Sequence, residues 1–170
     1  MRTLGAVLAG GRSSRFGSDK AVATLDGRTL LDHAMTTLAV HCDGMIVVGR
    51  DGGIADWPHP AMGPLGGIAG ALRHAASAGF GQILTAPVDC VRLPPDLRAL
   101  LEPAPAFLQA QPVIGLWPVT AQGELEAMLA DPGDLAVRAF ARRIGARAVQ
   151  GDFALSNINS AADLDRLTRS

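Results

Sequence analysis

Three short apolar runs, separated by helix-forming stretches, constrain the fold of this chain more than any other feature. Residues 4–8, 45–48 and 83–86 are continuously apolar or nearly so. Such runs read as strands covered on both faces, which is how strands of a buried parallel sheet look in sequence. Residues 29–40 read as a helix, and so do residues 65–78 despite Gly66, Gly67 and Gly70. Alternation of this kind predicts an α/β chain in three α/β/α layers, with a mostly parallel sheet and helices on both faces. The second half continues the pattern less clearly. Residues 94–101 begin a helix with proline in its first turn, 112–117 form a strand, and 123–130 and 135–144 are helices. Residues 146–150 form a last strand, and 161–167 a closing helix. The proline-rich stretch 103–107 reads as a loop, and residues 1–170 as a single domain.

The first strand runs into Leu8-Ala-Gly-Gly-Arg-Ser-Ser-Arg-Phe-Gly-Ser-Asp-Lys20. Adjacent glycines at a strand's carboxyl end let the backbone approach a ligand closely, because no Cβ intervenes. Successive N–H groups in such a loop make an anion-binding concavity. Arg12, Arg15 and Lys20 add positive charge, so the segment spanning Leu8, Ala9, Gly10 and Gly11 suits a polyphosphate. It is neither a Walker A loop nor a G-x-G-x-x-G dinucleotide fingerprint, since Gly10-Gly11 is followed next by Gly17.

Composition narrows the partners. Hydrophobic residues make up 48% of the chain but aromatics only 4%, so the core is built from Ala, Leu, Val and Ile. The net charge of −1, without a basic block, argues against a nucleic-acid partner, which needs a concentrated positive face. No stretch reaches the ~20 apolar residues of a membrane span. The N-terminal apolar run superficially resembles a signal peptide, but it is short and is followed at once by Arg12 and Arg15. Cys42 and Cys90 have no metal-like spacing and form no disulfide framework, which points to a reducing cytoplasm. Cys90 reads as a small buried hydrophobe.

Asp89 stands just beyond the strand at 83–86, where open parallel sheets bind ligands, and so shares a crevice with Gly10 and Gly11. A carboxylate facing a polyphosphate calls for a cation between them. Mg²⁺ fits, because it takes one or two carboxylates together with phosphate oxygens. At Gly63-Pro64-Leu65-Gly66-Gly67, small residues at a helix start leave room for a nucleoside and present N–H groups at the positive end of the helix dipole. Asn157 and Asn159 alternate, so an extended segment points both amides to one face, towards a ligand or the metal site.

Four segments in order resemble the molybdenum cofactor guanylyltransferase (MobA) family of nucleotidyltransferases. The first loop resembles LAGG-x-x-x-R-(M/F)-G-x-D-K. Gly63–Gly67 resembles G-P-L-(A/G)-G, and the segment around Asp89 resembles D-x-P-x-(I/L)-P-x-D-L, with Val91 in place of proline. Ser156-Asn-Ile-Asn-Ser-Ala-Ala-Asp-Leu164 resembles N-(I/V)-N-T-P-E-(D/E)-L. Asp56 falls where the family has an acidic residue near the nucleotide, and Gly49 where some members carry asparagine. The resemblance implies a Rossmann-like nucleotidyltransferase fold and transfer of GMP from Mg·GTP to the terminal phosphate of molybdopterin or molybdenum-molybdopterin. The products are the guanine dinucleotide cofactor and pyrophosphate. It assigns Arg15 and Lys20 to the triphosphate, Asp89 to Mg²⁺, and the segments Leu8–Gly11 and Gly63–Gly66 to the nucleotide. Transient contact with a molybdenum insertase and apo-molybdoenzymes is implied in the same way. Alternatives are a sister enzyme using CTP or a sugar-phosphate acceptor, and a nucleotide-binding regulatory module without turnover.

Overall fold

The computed structural model describes residues 1–10, 19–60, 62–131, 133–151 and 155–158. In chain order, β1 (Thr3–Leu8) is followed by a 3-10 turn (Lys20–Val22), the hairpin of β2 (Thr24–Leu25) and β3 (Arg28–Thr29), and helix α1 (Leu30–Ala39). Next come β4 (Gly44–Val48), α2 (Gly63–Ser77), β5 (Gln82–Pro87), β6 (Cys90–Arg92) and α3 (Leu97–Leu101). The remainder is β7 (Ala106–Leu108), β8 (Gln111–Pro118), α4 (Gln122–Ala130), α5 (Val137–Arg143), β9 (Arg147–Val149) and β10 (Ser156–Asn157).

Among the described residues the main sheet has six strands in the order β4-β1-β5-β8-β7-β9. The pairings β1–β4, β1–β5 and β7–β9 are parallel, and β8 runs against both its neighbours. Side chains alternate across the strands. Leu4, Ala6 and Ile83 face one layer with α2, α4 and α5, while Val7, Leu84 and Ala86 face the other with α1 and α3. This is the three-layer, mostly parallel arrangement expected from sequence.

Local chemistry sets the element ends. Thr29 and Asp32 form a reciprocal capping box on α1: the Thr29 hydroxyl accepts from Asp32 N at 3.1 Å, and the Asp32 carboxylate accepts from Thr29 N at 3.3 Å. The expected helix at 94–101 begins only at Leu97. Pro95 keeps Pro94 out of the helical region, and residues 94–97 form a turn closed by Leu97 N donating to Pro94 O at 3.1 Å. The stretch 103–107 is not wholly loop, because Ala106 and Phe107 open β7. The helix expected at 135–144 spans Val137–Arg143. The expected closing helix at 161–167 lies outside the described residues. No described helix is long and apolar enough to cross a membrane.

Three of the seven aromatics, Phe107, Trp117 and Phe140, cluster beneath the far half of the sheet. Trp117 of β8 is fully buried, stacks with Phe107 at 6.3 Å between ring centroids and tilts against Phe140 at 5.4 Å. Its indole N–H donates to Thr85 Oγ1 at 2.9 Å. Gly115 leaves the space that the Trp117 ring fills.

Candidate active site

The carboxyl ends of β4, β1 and β5 meet at one crevice. Ala9 N donates to Val48 O at 2.9 Å, and Val88 N donates to Leu8 O at 3.1 Å, so the three strand exits are tied together. Gly10 and Gly49 pack backbone to backbone there. A Cβ on Gly49 would stand 2.7 Å from Gly10 Cα, and one on Gly10 would stand 3.0 Å from Gly49 Cα. Gly49 also has φ +81°, a conformation that disfavours any side chain. Glycine at this position therefore has a packing reason in this chain.

Helix α2 carries its glycines towards the same crevice. Gly70 admits the Ala55 carbonyl, which a Cβ would displace, and Gly66 O accepts from Trp57 N at 3.0 Å. Gly67 lies close to the Leu8 side chain. These approaches seat the 55–57 segment against the helix and place Asp56 beside Gly49 and Gly67. The result is a cavity of about 320 Å³. Leu8, Gly10, Asp56, Gly63, Pro64 and Gly67, all singled out from sequence, line it together with Val48, Pro87 and Val113. Burial pushes the Asp56 carboxyl above its ordinary value. Ala9 and Leu65 are buried instead, at 8% and 0% exposure, and Gly66 faces Met62. Among the cavity residues missed from sequence, Val48 ends one run that reads as a strand and Pro87 directly follows another. Val113 had no local signal, because the antiparallel pairing of β8 brings it there.

A charged pair stands at the end of β5. Lys20 Nζ lies 2.9 Å from Asp89 Oδ2, with only 16% and 20% of the two side chains exposed. Asp89 Oδ1 is buried and has no hydrogen-bond partner among the described residues. An unsatisfied carboxylate oxygen is costly to bury, and a divalent cation is a group that would satisfy it. Backbone pairing also brings the asparagine segment to this point: Asn157 pairs with Cys90, and Ile158 N donates to Asp89 O at 3.0 Å. Gly11, Arg15 and Asn159 lie outside the described residues. Cys90 itself is fully buried, and burial, aided by the adjacent Asp89 charge, pushes its thiol up to about 12. A thiol so rarely ionised is inert as a nucleophile.

The sequence of this chain matches the model of the MobA-like NTP transferase domain over residues 5–150. The chain belongs to that family. Membership makes it a nucleotidyltransferase, with the Rossmann-like sheet expected of one. It is 39% identical to a molybdenum cofactor guanylyltransferase of Acidiphilium cryptum, over 94% of this chain and 90% of that protein. It is 36% identical to one from Cereibacter sphaeroides, over 98% and 95% of the two chains. Its fold is similar to the crystal structure of molybdopterin-guanine dinucleotide biosynthesis protein A from Archaeoglobus fulgidus. That superposition has a TM-score of 0.76 at 21% identity and covers 98% and 97% of the two chains. The MobA-like fold extends to a 4-diphosphocytidyl-2C-methyl-D-erythritol synthase from Anaerococcus prevotii, with TM-score 0.69 at 12% identity over 99% and 95%.

Proposed function

We propose that this protein transfers GMP from Mg·GTP to the terminal phosphate of molybdopterin or its molybdenum-loaded form, releasing pyrophosphate. The observation that carries the reading is the Lys20–Asp89 pair, with Asp89 Oδ1 buried and unpartnered, two residues beyond Pro87, which lines the cavity that holds the Asp56 carboxylate. The high identity to proteins named molybdenum cofactor guanylyltransferase supports the choice of donor and acceptor.

Asp56 bears on the base. A carboxylate accepts two hydrogen bonds side by side, and guanine offers two adjacent donors, N1–H and the 2-amino group. Cytosine presents an acceptor beside its amino donor, which would face the carboxylate with like polarity. Leu8, Val48, Pro64 and Val113 supply apolar walls for the ring. Gly10, Gly11 and the first turn of α2 would cradle the nucleotide with backbone N–H groups.

Asp89 would hold Mg²⁺, which supplies Lewis-acid charge at the α-phosphate and alignment of the acceptor. Lys20 and Arg15 would neutralise the triphosphate and the pyrophosphate as it leaves. Asn157 and Asn159 would orient the acceptor or the groups around Asp89. No protein nucleophile is needed, since the acceptor phosphate oxygen attacks the α-phosphorus and the bond to the β-phosphate oxygen breaks. Catalysis is then positioning plus charge stabilisation.

The test is calorimetry of GTP, CTP and ATP with Mg²⁺, followed by measurement of pyrophosphate release on adding molybdopterin. GTP-selective binding with release is the expected result. A preference for CTP would move the protein to a sister activity, and binding without release would leave a regulatory module or another acceptor.

A further inference from the structure

Arg50 belongs to none of the segments that the family resemblance singles out, yet it leads directly to them. It follows Gly49 at the exit of β4, where the Gly10–Gly49 backbone contact sets the direction of the chain. Its Nη1 lies 2.6 Å from Asp19 Oδ2 and 2.8 Å from Oδ1, so one guanidinium N–H group meets both carboxylate oxygens. Asp19 in turn caps the 3-10 turn: its Oδ1 accepts from Ala21 N at 3.1 Å, and its carbonyl accepts from Val22 N at 3.2 Å. Lys20 is the first residue of that turn, and its ammonium reaches Asp89 at 2.9 Å. The hydrogen bond from Arg50 holds the Asp19 carboxyl below its ordinary value, as a guanidinium gripping a charged cap does.

We propose that Arg50 is a positioning residue for nucleotidyl transfer, holding Asp19 so that the turn delivers Lys20 to the reacting phosphates opposite Asp89. The inference rests on the proposed function for its chemistry, but its geometry stands apart from it. A rigid strand exit grips the cap, and the cap aims the lysine. Arg50 need not touch the nucleotide. As a surface ion pair, with Asp19 half exposed at 49%, it contributes little to global stability. Its loss should therefore appear in Lys20 placement and not in unfolding.

The test pairs kinetics with hydrogen–deuterium exchange of the full chain. Arg50→Gln is expected to lower kcat for GTP-dependent pyrophosphate release roughly ten- to a hundredfold, with KM for GTP within about twofold and an unchanged unfolding midpoint. Amides of residues 21–23 should exchange faster, and Arg50→Lys should restore most of both properties. Asp19→Asn keeps the cap acceptor and loses the charge, so it should reproduce the loss. The double variant should then be no worse than the weaker single one. Wild-type kcat together with wild-type exchange in Arg50→Gln would overturn the proposal. So would additive losses in the double variant, which would put Arg50 directly on the ligand. Should the unaltered protein release no pyrophosphate from GTP, the proposed function fails. The exchange measurement, which needs no substrate, then decides the Arg50–Asp19 clamp alone: unchanged exchange rejects the clamp, and faster exchange retains it while its role in nucleotidyl transfer falls with the proposed function.

Discussion

The two halves of the sheet are built on opposite principles. The half formed by β4, β1 and β5 is parallel; its carboxyl edge is stripped of side chains at Gly10 and Gly49, where backbone meets backbone, and α2 packs over it with Gly66, Gly67 and Gly70. The half formed by β8, β7 and β9 carries the Trp117, Phe107 and Phe140 cluster and turns one strand against the rest. The first half gives up side-chain packing to leave room for a ligand. The second supplies bulk that anchors the sheet and contributes only Val113 to the cavity wall. Stability and chemistry should therefore be separable by mutation.

The sharpest break in that comparison is Trp117→Ala. Removing a fully buried indole should cost about 3–5 kcal/mol of unfolding free energy, read by urea melts, with Mg·GTP affinity of the folded protein nearly unchanged by calorimetry. Parallel loss of affinity would show that the halves are not independent.

Next in size is Asp89→Asn, which keeps an oxygen for Lys20 but removes the charge. Transfer should fall on the order of 10²–10³-fold, measured as pyrophosphate release, while thermal melts stay near those of the unaltered protein. Lys20→Ala should act in the same direction.

Asp56→Asn is smaller and has opposite signs in the two assays. Loss of a charged acceptor should weaken GTP binding by about 1.5–3 kcal/mol. Burial raises the Asp56 carboxyl in the folded protein above its unfolded value, so its ionisation disfavours the folded state. That cost is absent below the unfolded value and grows as pH rises through the folded one. The asparagine variant should therefore melt at or above the unaltered protein at pH 7, and the difference should vanish in acid. In the unaltered protein, GTP affinity should decline as pH falls through the raised value.

The smallest effect is expected at the N-terminus of α1. Thr29→Ala removes one side of the α1 capping box and should cost about 1 kcal/mol of stability, with kcat and KM unchanged.

Sequence and structure divide this protein along a physical line. Local chemistry was legible wherever neighbours in the chain decide the outcome. The apolar runs became β1, β4 and β5, the Gly10 loop came at a strand exit, and Gly63-Pro64 opened α2, because burial pattern, glycine freedom and proline geometry are properties of a few consecutive residues. Three-residue β7, hidden among prolines, has too little sequence to show a period. The antiparallel pairing of β8 with β5 and the arrival of Val113 at the cavity depend on partners 28 or more residues away. The same holds for the site. Asp89, Lys20 and Asp56 could be nominated one by one as residue types in suggestive places. Only the tertiary structure decided that Lys20 meets Asp89 across 69 positions, that Asp56 is lowered into a cavity by the glycines of α2, and that Arg50 grips Asp19. Charge pairing over such separations is set by how the elements pack, and packing is a property of the whole chain.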